Sequence, residues 1–137
     1  MSWVDYHKIL LSMVLWREAR GEGEDGMTAV ACVIRNRVKL WKISWIVAIV
    51  AKNQFSSMGT AGDSQLVLWP QDKDLKFEAA MRIAEQVYND YQEDITGGAV
   101  YYANLATATS GWFFENIVNQ QDKHPQTVTV GHHTFFK

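Results

Sequence analysis

Cysteine occurs once in the 137 residues. A single thiol permits no disulfide within the chain and no paired-thiolate metal site. Cys32 lies in an apolar periodic run and reads as a small core residue. Charge is sparse, at 20% of residues with a net of −2. The basic footprint of a nucleic-acid binder is missing, so no such partner is expected, and an anionic polymer would have to be met by local positive charge. The longest apolar run, "ISWIVAIVA" at 43–51, falls short of the ~20 residues that span a bilayer, so no membrane insertion is expected. The N-terminus has neither a basic start nor a small-residue cleavage site. No signal peptide is therefore expected, and the protein works where it is made or is let out by something else.

What is present is a globular composition, 47% hydrophobic with six tryptophans. The length suits one domain, residues 1–137, with a real core. The tryptophans read either as core or as surface on which sugars stack. Tyr6, Leu10, Met13, Val14 and Arg17 fall at helical spacing, flanked by Trp3 and Ile9, and predict a helix over about 3–19. The stretch "LWREARGEGEDG" at 15–26 follows, and its glycines end that helix. Asp25 reads as the N-cap of a second helix with Met27, Val30, Ala31, Ile34 and Val38 on its apolar face. Ser44 starts a short buried helix. "NQFSSMGTAGDSQ" at 53–65 reads as loop. Phe77, Ala80, Ala84, Val87, Tyr88 and Tyr91 define a further helix, ended by "DITGG" at 94–98. "AVYYAN" at 99–104 reads as a strand and "TVTVGHHTFF" at 127–136 as one or two. Helices followed by a small sheet make an α+β pattern.

Glu18 sits in the last turn of the first helix. A rigid backbone, partial desolvation and an open loop beside it are what a general acid needs, and burial would raise its pKa toward neutrality. Taken alone, beside Arg17 and Arg20, it reads more readily as one charge of a solvated network. Glu22 and Glu24, between glycines, read as solvent-facing charges.

Four blocks resemble the spore cortex-lytic, SleB-type cell wall hydrolases, and they stand in the family's order. "EARGEGEDG" runs into "MTAVACVIRNRV". "QFSSMG" is similar to the family's QFS loop, "TGGAVYYANLATATSGWF" to its TGGA stretch, and "VGHHTFFK" to its closing G-G-H-x-F-Y. The resemblance implies a lysozyme-like domain, mostly helical with a small antiparallel sheet toward the C-terminal half. It implies a lytic transglycosylase that cuts peptidoglycan glycan strands, with Glu18 as its single catalytic acid, no metal and no cofactor. On that view the glycines open the floor of a cleft and the extra charges line its rim. Phe55 and Tyr101 then offer faces for pyranose rings, and Ser56, Asn104 and His133 offer hydrogen bonds. Each has another reading: core aromatics for Phe55 and Tyr101, a turn residue for Asn104, a buried carbonyl's partner for His133. His132 and His133, as strand neighbours, would point to opposite faces and could not share one ion. The chain departs from the family at Trp16-Arg17, Leu105 and His132. A leaderless monomeric domain looks like a phage endolysin released by a holin. The alternatives are a muramidase using Asp63 or Glu22 as second carboxylate, an inactive glycan-binding module, or an interaction protein.

Overall fold

The computed structural model describes residues 1–52 and 54–137; Asn53, the first residue of the expected loop, lies outside them. Helix α1 (Trp3–Ala19) opens with a reciprocal cap, in which the Ser2 hydroxyl accepts from the Asp5 amide and the Asp5 carboxylate accepts from the Ser2 amide. Its two halves differ. Tyr6, assigned to the apolar set by spacing, and the flanking Trp3 and Ile9 are exposed, whereas every residue from Leu11 to Arg17 is buried. The one-sided pattern expected over 3–19 therefore gives way to a helix end enclosed on all sides, the environment of a helix apolar all round.

One 3-10 turn (Arg20–Glu22) separates α1 from α2 (Gly23–Trp41). Asp25 is not the N-cap of α2 but lies in its first turn, where a negative charge suits the helix dipole. Glu22 occupies the cap position without capping, because its carboxylate is engaged elsewhere. Helix α3 (Trp45–Val50) starts after Ser44 as expected, with Ser44 capping it through the Val47 amide, but it is buried only at Ala48 and Ile49. Helix α4 (Leu75–Tyr88) is capped by Asp74 through the Phe77 amide. It stops at Tyr88, ahead of "DITGG". Asp90 adopts a left-handed backbone (φ 64°) and its carboxylate takes Arg35 and Lys39 of α2. Tyr91 is consequently outside the helix and exposed.

"DITGG" instead forms a polar hub. The Asp94 carboxylate accepts from the Thr96 amide and hydroxyl, the Gly98 amide and Asn36 Nδ2. Asn36 also donates to the Ala99 carbonyl (2.9 Å), and its neighbour Arg37 donates through Nε to the Val100 carbonyl (2.8 Å). The Asn-Arg pair of α2 thus fixes the chain entering β1 (Tyr101–Ala103). After β1 comes α5 (Gly111–Phe113), which continues as a π-helical turn over Phe114–Val118. β2 (Gln126–Val130) and β3 (His133–Phe136) follow, giving an antiparallel sheet in the order β1-β3-β2. The C-terminal run is two strands.

The main core lies among α1, α2, α3 and α4, and Cys32 is part of it as expected. A smaller cluster of Ala29, Val33, Ala99 and Phe135 joins α2 to the sheet. Among the described residues, no helix is long and apolar enough to cross a membrane.

Candidate active site

The buried end of α1 delivers Glu18 to the wall of a groove of about 950 Å³, whose other sides come from α2, the 54–56 segment, β1 and the stretch up to Phe113. Burial pushes the Glu18 carboxyl up from its ordinary value. Two hydroxyls and a charge modulate this. Tyr102 Oη donates to Glu18 Oε1 (3.3 Å). Ser57 Oγ, fully buried, lies near enough to the carboxylate to hold its titration down, yet has no hydrogen-bond partner of good geometry. The charge of Asp63 adds a small upward push. Tyr102 is itself held far above the ordinary phenol range, first by burial and then by the Glu18 charge, so its hydroxyl stays protonated and donating.

Arg17, adjacent to Glu18, turns away from the groove. Its guanidinium donates to the Leu68 carbonyl through Nε and Nη2 (3.2 and 3.1 Å) and to the Ser57 carbonyl through Nη1 (3.0 Å), and it stacks on Trp69. The segment carrying Ser56 and Ser57 is thereby tied to the helix carrying Glu18. The departure at Trp16-Arg17 gains a role from this: an arginine there clamps a loop.

Of the other expected site residues, Ser56 and Tyr101 line the groove with Glu18. Ser56 Oγ donates to Asp63 Oδ2 (2.7 Å). Tyr101 packs edge-on against Phe113 and His124. Phe55 also reaches the groove but is 6% exposed and belongs to the main core, so it offers a sugar only a sliver of ring. Asn104 and His133 are not on the groove wall. Asn104 closes a turn, its side-chain oxygen accepting from the Ala106 amide and its carbonyl from Thr107 and Ala108. His133 is buried behind Tyr102, ring centroids 4.9 Å apart, with Nδ1 unpartnered; burial lowers its pKa. Sequence position alone could not separate Tyr101 from Tyr102, and it was Tyr102 that reached the acid.

Glu22 is not a solvent-facing charge. Its carboxylate accepts from the His132 amide (3.0 Å) and lies 3.2 Å from His132 Nδ1. A side chain at Gly131 (φ 58°) or at Gly26 would collide with Glu22, so these glycines house a carboxylate that joins the α1–α2 turn to the β2–β3 turn. None of the residues from Arg20 to Gly26 lines the groove, so the glycine cluster does not form its floor nor the extra charges its rim. Glu24 is the exposed charge expected, paired with Arg82. We expect Glu22→Ala to cost about 2 kcal/mol in chemical denaturation, the scale of a lost hydrogen bond to a charged group, and Glu24→Ala to leave the midpoint unchanged.

A family model described as cell wall hydrolase matches residues 21–136. The chain is 33% identical over 130 residues to a spore cortex-lytic enzyme of Oceanobacillus iheyensis, covering 93% of this chain and 40% of that protein. It is 31% identical over 126 residues to one of Bacillus subtilis, covering 92% and 36%. The chain thus spans well under half the length of these curated relatives. Among solved structures, it superposes on the catalytic domain of the germination-specific lytic transglycosylase SleB from Bacillus anthracis with a TM-score of 0.70 at 29% identity, covering 100% of this chain and 97% of that one. The catalytic domain of the Bacillus cereus SleB protein gives 0.67 at 30% identity, covering 96% and 91%. The α+β architecture is theirs, the lysozyme-like one that the sequence resemblance implied.

Proposed function

The chain belongs to the cell wall hydrolase family, and on that premise we propose that it cleaves peptidoglycan glycan strands between N-acetylmuramic acid and N-acetylglucosamine, with Glu18 as the single acid of a lytic transglycosylase. One observation carries this reading: among the described residues, Glu18 is the sole carboxylate lining the groove, and burial raises its pKa. A protonated Glu18 gives its proton to the bridging oxygen as the bond from the muramic C1 breaks. The resulting carboxylate takes the proton of the muramic C6 hydroxyl as that oxygen bonds to C1, which closes a 1,6-anhydro ring and restores the acid. No water and no second carboxylate are consumed, and the tethered nucleophile supplies much of the rate. Tyr102 fixes one oxygen of the acid throughout. Tyr101 and Ser56 supply a ring face and a hydroxyl to the sugars.

Mass spectrometry of the products from purified peptidoglycan tests this, with anhydromuramic ends expected. Reducing ends would mean hydrolysis. Asp63 would then be the second carboxylate to mutate, since hydrogen bonds from Ser56 and the Gln65 amide keep it ionised beside the groove wall. Retained binding without products would favour a glycan-binding module. Delivery as an endolysin is the finer part of the proposal: cells expressing the protein should lyse on co-expression of a holin and not without it.

Tyr102→Phe should separate positioning from chemistry. Its hydrogen bond lowers the Glu18 pKa, so removing it raises that pKa further. The alkaline limb of the kcat/KM profile reports loss of the acid's proton and is expected to move to higher pH. A profile that is unchanged or moves down would remove Tyr102 from the acid's control.

A further inference from the structure

Arg37 is 8% exposed, yet it borders the same groove as Glu18. Among the described residues, no carboxylate lies within ion-pair distance of it. Its guanidinium is built in place: Nε donates to the Val100 carbonyl (2.8 Å), Nη1 to Gln54 Oε1 (3.2 Å), and the rings of Trp41 and Phe55 flank it, each with its centroid 5.4 Å away. Among the described residues Nη2 finds no hydrogen-bond partner, and it is not one of their polar atoms sealed from solvent. An arginine so enclosed still carries its charge, and a buried charge without a counterion is costly. Its planar fork suits a carboxylate. Glu18, Arg37 and Tyr102 all line this one groove, so a strand lying in it meets the acid and the guanidinium together.

We propose that Arg37 is an anion subsite for the lactyl carboxylate of a muramic residue on the strand that Glu18 cuts, so that the domain favours strands on which that carboxylate is free rather than amidated by peptide. This rests on the glycan-cleaving role above. The counterion missing from the protein is supplied by the substrate, and desolvation on binding strengthens the pair.

The test is a binding titration followed by two-dimensional NMR at the Trp41 indole. The probes are N-acetylmuramic acid, its lactyl methylamide and N-acetylglucosamine. The acid is expected to bind about tenfold tighter than the other two, the scale of one charge-assisted contact. Arg37→Gln is expected to erase that difference, and Arg37→Lys, which keeps the charge but not the fork, to keep part of it. Should Arg37→Gln not fold, the three probes on the unmutated protein still decide. On polymer, strands stripped of peptide should be cut faster than the same strands with methylamidated lactyl groups or with intact stems. Equal binding of the acid and its methylamide overturns the subsite, even if strands are cleaved. So does faster cutting of stem-bearing strands. Selective binding of the acid without any cleavage leaves the subsite standing and sinks the glycan-cleaving role instead.

Discussion

Glu18→Gln is expected to lower the rate on purified cell walls by about 10² or more, the scale of losing a general acid, and to leave the fold at least as stable as before. The amide keeps the size of the side chain and an oxygen for the Tyr102 hydroxyl, but has no proton to transfer. The stability half of the expectation follows from the direction of the pKa shift. Burial raises the Glu18 pKa in the folded state. The folded form therefore favours the protonated group, and the stability tied to it is present at low pH and lost as pH rises through the folded pKa. Glutamine cannot ionise. In thermal scans that start below the ordinary glutamate value of 4.5 and run upward, the variant should match the parent at the acid end and gain on it toward the alkaline end. Near-full lytic activity in the variant would end the assignment whatever the fold.

Arg17→Ala is expected to be the most destabilising change near the site. It strips donors from the carbonyls of Ser57 and Leu68 and removes a cation from the face of Trp69. A buried acceptor left unpaired costs about 1–3 kcal/mol, so a loss of about 2–5 kcal/mol is expected in denaturant unfolding. Activity should fall as well, because Ser56 and Ser57 lose their tether to the helix that carries the acid. Arg17→Lys, able to reach one carbonyl but not both, should recover only part of each loss. An unchanged unfolding midpoint would show that the loop holds itself.

The sequence made the helices legible, because their apolar spacing survives in the core. It made Glu18 legible as a candidate because a packed helix ending in glycines is a recognisable frame for an acid. The same reasoning misread residues whose meaning depends on distant partners. A glutamate between glycines looks solvated until Gly26 and Gly131 are seen to leave room for it and His132 to bind it. Helix α4 looks as though it runs to "DITGG" because Tyr91 keeps the spacing. Arg35 and Lys39, on another helix, hold Asp90 in a left-handed turn that stops it earlier. Adjacent tyrosines cannot be ranked by a pattern, and His133 carried the polar signal of a ligand-binding residue while serving as packing behind Tyr102. The tell for Arg17 was present but ambiguous: a charged residue in the midst of an enclosed helical stretch must find buried acceptors.

The enclosure of α1 from Leu11 to Arg17 also sets a hierarchy of opening motions. Amides there can meet solvent only when the whole core comes apart, so their hydrogen exchange should report global unfolding. The segment from Ser56 to Trp69, which touches the groove at Ser56, is a run of turns tied to α1 through the Arg17 guanidinium, and its amides should exchange through local openings that leave α1 intact. The end of that segment at Ser56 could then yield while the proton donor stays still. Opening of the Ser56–Trp69 segment and integrity of the acid would thus be uncoupled, with Arg17 the tie between them.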